Sequence, residues 1–115
     1  MLYAKLRICK LLNEELENLE NLKKEFLKGD PLTEAGLKQI KAAKRIEAEI
    51  ESVAELRDEY ISAVKNDENF KKMDSYLQNA CIDYYFNKEI SETKINTKYH
   101  ITGFVKKIYR QLHKF

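Results

Sequence analysis

From Leu2 onward, apolar side chains recur at intervals of three and four residues: Leu2, Leu6, Cys9, Leu12, Leu16, Leu19, Leu22 and Phe26. Such spacing belongs to an amphipathic helix and is incompatible with the alternation of a strand. Asn13, Glu14, Glu15, Glu17, Asn18, Glu20 and Asn21 fall between the apolar positions and read as a solvated, mostly acidic face. A second stripe follows at Leu37, Ile40, Ala43, Ile46, Ile50, Val53, Leu56, Tyr60 and Val64. As one helix this run would span about 45 Å. Gly29-Asp30-Pro31 separates the two, with Gly29 suited to a left-handed C-terminal position and Pro31 unable to continue a helix. Thr33 is the expected N-cap of the second helix, with Glu34 in its first turn. Neither seam can be buried by its own helix, so the pair is expected to close as an antiparallel hairpin. The first stripe is also close to a heptad pattern, which permits a coiled-coil homodimer.

Turn-forming residues are scarce. Three glycines and one proline in 115 residues argue against an all-β sandwich or barrel. After the polar break Lys65-Asn66-Asp67-Glu68-Asn69, a third helical stripe runs through Phe70, Met73, Leu77, Ala80, Cys81, Tyr84 and Tyr85. Asn87-Lys88-Glu89 reads as a turn, Ser91 as the cap of a helix to about Tyr99, and Thr102 as the cap of a last helix from Gly103 to about Lys114. The expected fold is therefore all-α: a long antiparallel helical hairpin followed by a compact three-helix, helix-turn-helix-like cluster. Residues 1–65 would form the hairpin, for dimerisation or partner contact, and residues 66–115 the basic helix-turn-helix-like region.

Catalysis is not expected. His100 and His113 are the only imidazoles, no metal-binding or nucleophile motif surrounds them, and no glycine-rich phosphate loop occurs. No cofactor and no metal are implied. Cys9 and Cys81 are isolated thiols expected to be buried and reduced. The chain starts at Met1 without a basic-then-apolar leader, and no apolar run approaches the ~18 residues of a membrane span. A cytoplasmic protein without membrane contact is the expectation.

The formal charge of +2 hides an asymmetry. Residues 1–85 hold 14 Lys and Arg against 17 Asp and Glu, a net of −3. Residues 86–115 hold seven basic side chains against Glu89 and Glu92, a net of +5. Such a basic end suits a polyanion, an acidic protein partner or plain solvation. The layout of a short capped helix, a tight turn and a basic helix is that of a helix-turn-helix, whose second helix enters the major groove of double-stranded DNA. Lys94, Lys98, Thr102, Lys106, Lys107, Arg110 and Lys114 are the candidate DNA contacts. Thr102 and the free N–H groups of the first turn would meet phosphate.

The segment from about Leu77 to Phe115 resembles the sigma-region-4-type helix-turn-helix that closes small phage-encoded transcriptional activators, late-gene regulators among them. The matching residues are Ile82-Asp83-Tyr84-Tyr85-Phe86, then Ile90-Ser91 and Ile95, then Ile101-Thr102, Val105 and Ile108. Asn96 stands where that family has a small alanine, and His100 where it has a glycine. The resemblance implies a DNA-binding transcription regulator of phage or mobile-element type, with RNA polymerase or another protein on the hairpin. The alternative is a small helical interaction module, an inhibitor or adaptor of a host or phage protein, that binds no DNA.

Overall fold

The computed structural model describes residues 1–88 and 90–113. Among these the chain is all-α. Helix α1 spans Leu2–Leu27 and α2 spans Glu34–Lys65. Lys5 pairs with Asp67, and Lys23 pairs with Glu47, so the two segments run antiparallel as a hairpin. Leu16 and Leu19 are buried along its seam, as are Ala43 and Ile46.

The connection between α1 and α2 is built from local chemistry. The Asp30 carboxylate accepts from the Leu32 N–H at 2.9 Å, and the Thr33 hydroxyl accepts from the Gly36 N–H at 3.0 Å. Thr33 therefore caps α2 as the sequence predicts. Gly29 differs from expectation, since among the described glycines only Gly103 has a positive φ. Its role is close approach. A Cβ on Gly29 would stand 2.7 Å from the Gly36 carbonyl, and one on Gly36 would collide with the Asp30 backbone. The glycine pair lets the exit of α1 touch the first turn of α2.

The seam also departs from the expected stripes. Leu22, Leu37 and Leu56 are exposed, whereas Asn13, expected on the solvated face, is buried at 1% exposure. Asn13 lies four residues after Cys9 and three before Leu16, so it belongs to the same stripe. Its side-chain amide donates to the Tyr85 and Phe86 carbonyls at 3.0 and 2.9 Å, which explains a polar group in that position.

The expected third helix is divided. Helix α3 spans Glu68–Lys71 and α4 spans Ser75–Cys81, followed by a π-helical turn at Ile82–Phe86. Asp67 caps α3 by accepting from the Asn69 N–H at 2.9 Å. The Gln78 side chain reaches back to the Phe70 carbonyl at 2.7 Å, satisfying a group freed by the break. Bending there lets Phe70, Met73 and Leu77 all enter the core. Helices α5, Glu92–Tyr99, and α6, Phe104–Leu112, complete the fold. Lys88 lies in the expected turn before α5, and Glu89 lies outside the described residues.

The main core sits where the open end of the hairpin meets these shorter helices. Leu2, Leu6 and Cys9 of α1 and Val64 of α2 join Phe70, Leu77, Ala80, Cys81, Tyr85, Ile95, Phe104, Ile108 and Leu112 in one cluster. Both cysteines are free and buried. Burial pushes the Cys9 thiol up to about 11 and the Cys81 thiol up to about 12, so both stay protonated near neutral pH. No helix of the described residues is long and apolar enough to cross a membrane.

Candidate nucleic-acid interface

Ser91 opens α5 by accepting from the Lys94 N–H at 3.3 Å. The helix ends at His100, whose φ of 54° and ψ of 44° are left-handed. The Ile101 N–H closes on the Asn96 carbonyl at 2.9 Å, and histidine tolerates the left-handed position between them better than a β-branched residue would. Gly103 is also left-handed, at φ 65° and ψ 52°, and with no Cβ it adopts that geometry without strain.

That second left-handed residue delays the start of α6. The capping role expected of Thr102 is not present: the cap position is Gly103, which has no side chain to offer. Instead, α5 caps α6 across the turn. The Asn96 Oδ1 accepts from the Phe104 N–H at 3.1 Å, and the Glu92 Oε1 accepts from the Val105 N–H at 3.3 Å. The two leading N–H groups of the helix, expected to face phosphate, are therefore engaged by protein.

Helix α6 buries Phe104, Ile108 and Leu112 and exposes Lys106, Lys107 and Arg110. Thr102, Gly103, Lys106, Lys107, Arg110 and Gln111 line one open hollow along its outer face. Among the described residues no carboxylate lies within ion-pair distance of Lys106, Lys107 or Arg110. Tyr109, expected on the inner side, is 46% exposed and packs edge-on against Tyr3 of α1, 4.9 Å between ring centres. Its ring also stands 3.9 Å from that of His113.

The other candidate contacts are placed differently. Lys94 is exposed on α5. Lys98 is committed to Asp83 at 2.7 Å, and the Tyr99 hydroxyl donates to the same carboxylate oxygen. These hydrogen bonds, first from Lys98 and then from Tyr99, hold the Asp83 carboxyl below the usual carboxylate range. Lys114 lies outside the described residues. The structure thus gathers Thr102, Lys106, Lys107 and Arg110 on one face and draws Lys98 towards the π turn.

Several residues that sequence reasoning passes over hold this arrangement in place. Lys10 of α1 donates to the Tyr84 carbonyl at 2.9 Å and the Ile90 carbonyl at 3.1 Å, with its ammonium 4.3 Å from the centre of the Tyr84 ring. Burial lowers its pKa from the ordinary lysine range. With Asn13, it ties α1 to the segment that leads into α5. No group of three or more His, Cys, Asp or Glu side chains among the described residues is arranged to hold a metal ion. No protein-family model matches this chain, and neither the curated proteins nor the solved structures include a significant match to it.

Proposed function

We propose that the protein binds double-stranded DNA through the outer face of α6. The observation that carries this reading is the clustering of Lys106, Lys107 and Arg110 on one exposed helical face with no carboxylate partner among the described residues. The left-handed turn residues His100 and Gly103 set this helix beside α5 in a helix-turn-helix layout. Lysines at such positions neutralise phosphates, and an arginine offers a two-pronged fork to guanine. The resemblance of the C-terminal third to a sigma-region-4-type module supports the finer reading, a transcription regulator of phage or mobile-element type.

The test is fluorescence anisotropy with a labelled duplex of random sequence, titrated with salt. Three phosphate-facing cations predict a slope of log K against log salt of about −2.7. The triple variant Lys106→Ala, Lys107→Ala, Arg110→Ala is expected to keep its helical circular dichroism, because all three side chains are exposed, and to lose binding at moderate salt. Equal binding by parent and triple variant would show that another surface reads the DNA.

One observation favours the second reading, a protein-interaction module. The closed end of the hairpin displays Leu22, Leu27, Leu32 and Leu37, with Leu32 at 93% exposure. A parent protein that ignores duplex DNA at low salt would favour this reading over the first.

A further inference from the structure

The capping of α6 by α5 governs where along the helix a duplex can sit, an inference that rests on the DNA-binding reading. In a helix that presents its N-terminus to phosphate, the leading N–H groups are free and the positive end of the dipole attracts the anion. Here Phe104 N–H is held by Asn96 Oδ1, and Val105 N–H is held by a carboxylate oxygen of Glu92. Glu92 is half-buried, and no cation is paired with it among the described residues. Its charge therefore stands at the start of the helix whose later turns carry Lys106, Lys107 and Arg110.

We propose that Asn96 and Glu92 are positioning residues of the interface. They fix α6 through its leading amides, and the Glu92 charge makes the N-terminal end of α6 a repulsive margin for phosphate. A duplex is thereby received on the middle of the helix, over Lys106 and Arg110. Asn96 supplies a neutral cap and Glu92 a charged one, so the two parts of the proposal separate by substitution.

Amide hydrogen exchange tests the cap without any DNA. Asn96→Ala should speed exchange of the Phe104 amide by about five-fold or more. Asn96→Asp, which keeps an acceptor oxygen, should leave it near the parent rate. Unchanged Phe104 exchange in Asn96→Ala overturns the cap. Exchange as fast in Asn96→Asp as in Asn96→Ala does the same.

Binding of a random-sequence duplex tests the margin. Glu92→Gln keeps an oxygen for Val105 and removes the charge, so affinity should rise about three- to ten-fold at low salt and the gain should fade as salt is added. Asn96→Asp adds a charge there and should weaken binding. Glu55→Gln, an exposed site on α2, should change nothing. Equal or weaker binding by Glu92→Gln, or an equal gain in Glu55→Gln, overturns the margin. A parent that binds no duplex overturns the DNA reading and the margin together, while the exchange of Phe104 still reports on the cap by itself.

Discussion

Asn13→Ala is expected to be among the most destabilising changes of a polar residue in this protein. The side chain is 1% exposed, and its amide supplies both hydrogen bonds seen at the Tyr85 and Phe86 carbonyls. Each such bond contributes about 1 kcal/mol net, and a buried carbonyl left without a donor costs about 1–3 kcal/mol. One term offsets these: Asn13 Oδ1 itself has no hydrogen-bond partner, so its removal recovers about 1 kcal/mol of desolvation cost. The expected loss is about 2–3 kcal/mol. For a domain of this size that lowers Tm by roughly 10 °C.

Urea denaturation followed by far-UV circular dichroism measures this loss directly. Asn18→Ala on the exposed side of α1 is the reference and should stay within about 0.5 kcal/mol of the parent. Asn13→Asp should cost more than Asn13→Ala, because an ionised carboxylate has no proton to donate to either carbonyl. If Asn13→Ala and Asn18→Ala were equally stable, the tie between α1 and the π turn would carry no energy. The buried amide would then fill space without stabilising the fold.

Asp83 gives a pH-dependent contribution. Its carboxyl is depressed by hydrogen bonds from Lys98 and Tyr99, so its stabilising effect is complete above the unfolded value and is lost as pH falls through the folded one. Parent and Asp83→Asn should therefore differ in urea midpoint at neutral pH and converge below the ordinary carboxylate range; a gap that widens in acid would contradict this. At the turn, His100→Gly should raise stability by up to about 1 kcal/mol, since glycine adopts the left-handed conformation without a Cβ penalty. A clear loss in thermal unfolding would mean that the imidazole contributes contacts outweighing that strain.

The parts of the fold that are legible in the sequence are those decided within one turn of helix. Thr33, Asp67 and Ser91 cap the helices that follow them because each hydroxyl or carboxylate needs only an N–H two or three residues on. The two long stripes predict the hairpin for the same reason: periodicity of three and four is a local property with a global consequence. Gly29 suggests a positive φ by its position after a helix, although what it provides is room beside Gly36. The single helix expected from Phe70 to Tyr85 does not form because its apolar spacing is satisfied equally well by two short helices and a π turn.

What stays hidden depends on partners distant in the chain. Asn13 meets Tyr85 across 72 residues, and Lys10 meets Ile90 across 80, so no spacing rule pairs them. Asn13 does carry a signal, its place on the apolar stripe, but composition argues for solvent and position argues for the core. Position prevails because the last carbonyls of the π turn need donors, and a buried asparagine costs little once both are served. The same logic governs α6. Thr102 has the right chemistry for a cap, yet the left-handed Gly103 moves the helix start beyond its reach, and α5 supplies Asn96 and Glu92 instead. Asn96, which departs from the alanine of the resembling family, is thus the residue that joins the two helices of the turn. In that family pattern a small side chain lets the helices touch; in this chain a hydrogen bond does the joining. The basic face of α6 is therefore held from two sides, by side-chain caps from α5 and by the Tyr3–Tyr109 contact with α1. Orientation of the candidate reading helix is a property of the whole open end of the hairpin, which is why the C-terminal third read alone identifies its charges but not what aims them.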